Sequence, residues 1–230
     1  MKLEDSVVAH FKSSVGRYTQ DWLERNDFVV KAFEPYAKKS LKVLDIGCGT
    51  GHMLEALSVQ YPHFDLHGID ITPAMIRKAR AIRSPNIGLM LGDSLHLPFE
   101  NGTFDAVVLY DVLHHLIIGQ KRESDTMREM CLREALRIIK HGGFIVLQEV
   151  GVHKMWRAKL IFFVSHTFSR LYPAIPAVNF FDFEELNATF ALHKLSVADK
   201  EIKPYKSLIG WLATLGSYTI HASYVLARGD

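Results

Sequence analysis

Three glycines at alternate positions, Gly47, Gly49 and Gly51, cut off a short apolar run, Leu41-Lys-Val-Leu-Asp-Ile46, that carries one acid, Asp45. Glycine lacks a Cβ, so such a turn can take positive φ and let a second molecule approach its amides. A helix opening just beyond it offers unpaired N–H groups and a positive dipole end to that molecule. Asp45 would set a carboxylate beside it. Two more acids stand where later apolar runs stop: Asp70 after Leu66-His-Gly-Ile69, and Asp93 after Gly88-Leu-Met-Leu-Gly92. His114 and His115 follow a fourth run and are the side chains suited to taking a proton from a nucleophile. Cys48 and Cys131 have no metal-type spacing, and Cys48 has no base beside it in the sequence, so it reads as a small turn residue.

The elements that must hold these residues follow from periodicity. Residues 1 to about 38 carry helical spacing, including Val7, Val8, Phe11 and Val15. This arm suits either plain packing or a lid with Tyr18 and Trp22 as its aromatic contacts. His52 to Val59 predicts a helix, Phe64 to Asp70 a strand, and Thr72-Pro73 an N-cap with proline at the first helical position. The helix it opens runs to about Ile82. Strands are expected over Asn86–Leu91, Phe104–Tyr110 and Phe144–Val150, with an amphipathic helix over Asp125–Lys140 closed by His141-Gly142-Gly143. Helices alternating with apolar strands predict a mostly parallel sheet covered on both faces. Right-handed crossovers then bring Asp45, Asp70, Asp93 and Tyr110–Asp111 to one sheet edge. The expected fold class is α/β, a Rossmann-like doubly wound sheet with an antiparallel C-terminal edge. It is read as one structural domain in four parts: a helical arm (1–40), the core (41–150), an aromatic-rich helical cap (151–191) and closing strands (192–230).

Composition excludes several classes. Hydrophobic residues form 48% of the 230, enough for a sizeable core, and charged residues 23%. The net charge of +2 and the lack of long basic runs argue against nucleic acid as partner. No stretch approaches the roughly 18 uninterrupted apolar residues of a spanning helix, so stable membrane insertion is not expected. Two distant cysteines and a polar N-terminus fit a cytoplasmic protein. No metal is expected, since Pro62 and the strand pattern deprive His63 and His67 of helical ligand spacing.

The glycine turn is not that of a dinucleotide fold, which needs Gly-x-Gly-x-x-Gly: the third glycine's place holds His52. The triphosphate pattern, ending in Gly-Lys-Ser/Thr, does not occur. Instead Asp45-x-Gly47-x-Gly49-x-Gly51 resembles the first motif of class I S-adenosylmethionine-dependent methyltransferases. The resemblance covers residues 41 to about 150. It includes Asp70, Gly92-Asp93, the segment Leu97-Pro-Phe-Glu-Asn-Gly-Thr-Phe-Asp105, Leu113-His-His-Leu116 and Gly142-Gly143. It is closest to the small-molecule enzymes that include the quinone-pathway methyltransferases.

The resemblance implies S-adenosylmethionine as cofactor and roles position by position. Gly47, Gly49 and Gly51 would wrap its methionine and ribose parts, and Asp45 would meet its amino-acid end. Asp70 would accept from both ribose hydroxyls, Ile71 would pack on the adenine, Asp93 would accept from the adenine amino group, and Ser94 and Leu95 would flank the ring. Tyr110 would lie beside the sulfonium. His115 is the candidate base, against a structural or cofactor-side role for the histidine pair. Asp70 and Asp93 would also suit plain turn or cap residues. The Asn/Asp-Pro-Pro-Tyr tetrapeptide of amino-group nucleic-acid methyltransferases is replaced by Tyr110-Asp-Val-Leu113. The expected function is methyl transfer to a small apolar or aromatic molecule. Its alternative is a non-catalytic S-adenosylmethionine-binding protein that keeps the fold. The aromatic stretch of about 152–185 reads equally as a simple cap or as the acceptor pocket.

Overall fold

The computed structural model describes residues 27–82, 84–117, 121–152, 163–164, 167, 181–205 and 219–228. The expectations for Tyr18 and Trp22 and for most of the aromatic stretch lie outside these residues. The described elements begin with a short helix, α1 (Asp27–Lys31), and a 3-10 turn, Glu34–Tyr36. Then come β1 (Lys42–Ile46), α2 (His52–Gln60), β2 (Asp65–Asp70), α3 (Pro73–Ala79), β3 (Ile87–Leu91) and β4 (Phe104–Tyr110). A second 3-10 turn, Leu113–His115, leads to α4 (Lys121–Ile138) and β5 (Ile139–Val152). The last are β6 (Phe181–Asp182), α5 (Phe183–Leu192), β7 (Leu195–Tyr205) and β8 (Thr219–Arg228).

One sheet collects the strands in the order β3-β2-β1-β4-β5-β8-β7, with β6 paired beside the end of β5. The pairs from β3 to β5 are parallel, while β8 runs antiparallel to both β5 and β7. The chain thus ends in an antiparallel β7/β8 pair that completes the sheet, β7 forming the outer strand. The order reverses between β1 and β4. In open α/β sheets such a reversal opens a crevice at the strand C-termini, and that is where ligands bind.

Burial explains why β1 and β4 sit centrally. Four of the five β1 residues and five of the seven in β4 are buried. Such near-continuous apolar runs suit strands covered on both faces. Leu44, Ile46, Val107 and Leu109 turn toward α4 and α5, where Cys131, Leu132, Ala135, Leu186 and Phe190 meet them. Val43, Ala106 and Val108 turn the other way, toward Val29, Phe33, Met53, Leu54, Leu57 and Ile76. By the two-residue alternation of a strand, Asp45 belongs to this second face.

Thr72 stands at the N-cap of α3 with Pro73 opening the helix, as expected, while the capping bond and the end of α4 differ. Thr72 adopts extended backbone ahead of Pro73, but its side chain makes no capping bond; its hydroxyl bonds Asp70 instead. The helix expected to reach Lys140 ends at Ile138, and β5 starts at once, with Ile139 paired to Phe104. The helix end is closed from afar: Arg228 Nη1 donates to the carbonyls of Leu136 and Ile139 at 2.8 and 2.7 Å. Gly142 takes φ 73° inside the first part of β5 rather than at a helix cap.

Candidate active site

The glycine turn leaves β1 at the crevice. All three glycines have positive φ: 73° at Gly47, 53° at Gly49 and 82° at Gly51. A Cβ on Gly47 would lie 2.6 Å from Val112 Cγ2, and one on Gly51 2.7 Å from Ile82 Cδ1. Gly49 differs, since a Cβ there would meet nothing nearer than the Gly47 carbonyl oxygen at 4.0 Å. The turn is tied to β2: the amides of Gly47 and Cys48 donate to the Ile69 carbonyl at 2.8 and 3.1 Å. Cys48 is buried, and burial pushes its thiol far above the ordinary range, consistent with a turn residue and not a nucleophile.

Asp70 ends β2 beside this turn. Its Oδ2 accepts from the Gly49 amide at 2.9 Å and its Oδ1 from the Thr72 amide at 2.7 Å. One carboxylate therefore positions both the glycine turn and the start of α3. Burial raises its pKa, while the amides of Thr72 and Gly49 and the Thr72 hydroxyl act in the opposite direction.

Asp45 is only 2% exposed, and its Oδ1 meets no hydrogen-bond partner among the described residues. Burial, with the Asp70 charge adding to it, holds its carboxyl well above the usual carboxylate range. A buried acid with an unmet acceptor costs stability unless a donor or cation arrives. Asp93 accepts the Leu95 amide at 2.9 Å and lies 3.6 Å from His96 Nδ1. Leu95 is buried, with Ile71 and Ser94 partly exposed around the same edge. Arg137 holds the following loop to α4, donating to the carbonyls of Leu97 and Phe99 and pairing with Glu134.

The end of β4 carries Tyr110, then Asp111 at φ 53°, a left-handed conformation uncommon outside glycine. The Asp111 amide donates to the Gln148 carbonyl at 2.9 Å. His115 is half-buried, its ring centroid 4.0 Å from that of His114. His114 is buried, and its Nδ1 lies 2.8 Å from Glu149 Oε2. Asp111, His114 and Glu149 bring polar atoms within 4.8 Å of one another, and Arg128 lies close enough to influence both members of the pair.

The chain therefore unites the sequence-predicted residues along one edge: the glycine turn with Asp45 and Asp70 on one side of the reversal, Tyr110 and the histidines on the other. Asp93 with Ser94 and Leu95 stands at the end of β3. Glu149 and Arg128 were not foreseen. The one available signal was an acid inside an apolar strand of a parallel sheet, where both faces are covered.

Comparison with known proteins agrees with this architecture. Residues 44–147 match the family described as a methyltransferase domain. The demethylmenaquinone methyltransferase of Staphylococcus aureus (strain JH9) is 32% identical over 143 residues, 59% of this chain and 56% of that protein. Residues 44–147 are thus similar to a methyltransferase domain, and the strand order of the sheet agrees with that likeness. The chain spans a little over half the length of the curated relatives it matches. Among solved structures, a SAM-dependent methyltransferase of Methanosarcina mazei superposes with a TM-score of 0.65 at 20% identity, covering 86% of this chain and 96% of the other. The N-methyltransferase NodS of Bradyrhizobium japonicum WM9, in complex with S-adenosyl-L-homocysteine, gives 0.66 at 17% identity, covering 98% and 100%. Both share the methyltransferase fold. No helix among the described residues is long and apolar enough to cross a membrane.

Proposed function

We propose that the protein transfers a methyl group from S-adenosylmethionine to a small, apolar or aromatic acceptor. The observation that carries this reading is the buried Asp45 carboxyl beside three positive-φ glycines, whose Oδ1 meets no hydrogen-bond partner among the described residues. An acid with an unused acceptor in that place suits the cationic amino-acid end of the cofactor. The space beside Gly49 suits its approach to backbone amides. Asp70 already accepts the amides of Gly49 and Thr72 and the Thr72 hydroxyl, which leaves about one of a carboxylate's roughly four lone-pair sites for a ribose hydroxyl. Ile71, Asp93, Ser94 and Leu95 are assigned the adenine, and Tyr110 the sulfonium side.

The cofactor supplies an electrophilic methyl group; the chain supplies alignment and, for a nucleophile that carries a proton, a base. Alignment accounts for much of the rate in a direct displacement. His115 is assigned the proton. The described core positions the cofactor side, while residues 1–40 and 151–191 are assigned the lid and acceptor pocket, and 192–230 the closing strands. The quinone named for the curated relatives sets the first acceptor class to test, and the reading places the protein in the cytoplasm, without nucleic acid as partner.

Isothermal titration with S-adenosylmethionine comes first. Absence of binding by folded protein removes the reading. Transfer of tritiated methyl to demethylmenaquinone and a panel of small ring acceptors follows. Binding without transfer to any of these, or to any component of a cell extract, favours the non-catalytic alternative. Unchanged turnover in His115→Gln, with cofactor binding intact, removes His115 from the base role.

A further inference from the structure

The fully buried Glu149 stands on β5, next to the end of β4, and its carboxylate serves two separate groups. Oε1 accepts from the Leu113 amide at 2.6 Å, and the amides of Val112 and His114 also donate to the carboxylate. Oε2 faces His114 Nδ1 at 2.8 Å. The turn so held is pressed against the cofactor side, because Val112 fills the space beside Gly47 where a Cβ would lie. Glu149 is thus linked through the 112–114 amides and the Val112 side chain to the first glycine of the cofactor turn. The charges around it are Arg128 from α4, which donates to the Leu113 carbonyl, and Asp111 from the turn itself. Asp125 and Glu185, from α4 and α5, act on the Arg128 guanidinium.

We propose that Glu149 is a positioning residue: one carboxylate oxygen fastens the 112–114 turn against the glycine turn, and the other fixes the ring proton of His114 on Nδ1. The proposal deepens the methyl-transfer reading above and rests on it for its link to turnover. An ionised Glu149 can only accept, so it selects the Nδ1–H tautomer of His114. Burial works against protonation of His114, and the Arg128 charge adds to that effect, so the imidazole stays neutral. Burial also raises the Glu149 carboxyl to about 7, so the pair is best read at pH 8.5.

Glu149→Gln separates the two tasks. Its amide oxygen can replace Oε1 toward the backbone donors, which leaves the NH2 group facing Nδ1. Nitrogen-15 spectra of histidine-labelled protein with S-adenosylhomocysteine are expected to show Nδ1–H at His114 in the wild type and Nε2–H in Glu149→Gln. In the same variant S-adenosylhomocysteine affinity stays within about threefold, and turnover on whichever acceptor the wild type methylates drops at least tenfold. Glu149→Ala, which frees the turn as well, is expected to weaken S-adenosylhomocysteine binding at least tenfold. Nε2–H in the wild type, an unchanged tautomer in Glu149→Gln, or full affinity in a folded Glu149→Ala protein would each overturn the proposal. If Glu149→Ala does not fold, the wild-type and Glu149→Gln spectra still decide it. A wild type that methylates nothing defeats the methyl-transfer reading but leaves the tautomer and affinity results to decide this one.

Discussion

Asp45 is a residue kept against its own stability. Its carboxyl is buried, its Oδ1 has no hydrogen-bond partner among the described residues, and it lies within electrostatic reach of Asp70. Asp45→Asn cannot ionise and keeps nearly the same volume, so the cofactor-free variant should be more stable than the wild type at pH 8. Because the folded-state pKa is raised, the wild type keeps its full stability below the ordinary carboxylate range and loses it as pH rises through the raised value. The gain from Asp45→Asn should therefore shrink toward zero in acid. Urea melts at pH 4 and pH 8 measure this, and equal gains at both would refute it. The same variant should bind S-adenosylmethionine at least about tenfold more weakly, near 1.4 kcal/mol, by calorimetry. The opposed shifts of Glu149 and His114 make a second residue-scale case. Glu149, raised from 4.5 to about 7, loses stability as pH rises through that window; His114, lowered from 6.5 to about 3, gains it as pH rises from about 3 to 6.5. The two slopes cancel where the windows overlap. Glu149→Gln should uncover the His114 slope, visible as stability that climbs with pH between about 4.5 and 6.5.

At the scale of elements, the glycine turn has two kinds of glycine. Gly51 is confined by Ile82 and Ala79, whose side chains would lie 2.7 and 3.2 Å from an added Cβ. Gly51→Ala should cost roughly 2–3 kcal/mol in thermal or urea unfolding, combining the φ penalty with contact against α3. Gly49 has open space on the same side, so Gly49→Ala should cost only about 1 kcal/mol, from φ alone. Its effect should instead appear as lost affinity for S-adenosylmethionine. If the two variants destabilise equally, the open space beside Gly49 is not where the cofactor approaches. The same contrast shows what local reading can reach. Alternate glycines after an apolar strand mark a turn with positive φ from chain chemistry alone, but which glycine faces a neighbour depends on where α3 and Val112 are packed.

For the whole molecule, the last strand closes a helix that begins about a hundred residues earlier. Arg228 on β8 bonds the carbonyls of Leu136 and Ile139 at the junction of α4 and β5, and β8 itself pairs with β5 from Phe144 to Gly151. Arg228→Ala should lower global stability by roughly 2 kcal/mol, the scale of hydrogen bonds from a charged donor. The unfolding transition should remain single, since α4 and β5 belong to the same core. An early separate melting of α4 would contradict this. The expected helix terminus at Lys140–Gly143 failed for the same reason. Lysine and glycine are good local end signals, but the helix stops two residues sooner, where β5 begins opposite Phe104 and the Arg228 guanidinium bonds the last carbonyls.

The order of strands and helices from β1 to β5, the glycine turn and the three strand-end acids were readable in the sequence. Each depends on periods of two and 3.6 residues, on glycine's missing Cβ and on the chirality of crossovers, all of which act within a short stretch of chain. Even the shared edge for Asp45, Asp70, Asp93 and Tyr110 follows from parallel strands alternating with helices. The Glu149–His114 pair does not. Glu149 appears in the sequence as one acid closing an apolar run, 35 residues from its partner. Only the parallel register that sets Tyr110 opposite Gln148 brings its carboxylate to the 112–114 amides. Whether a buried acid meets amides and an imidazole, as Glu149 does, or no partner among the described residues, as at Asp45 Oδ1, is decided by packing across the sheet, and there the tertiary structure alone supplies the answer.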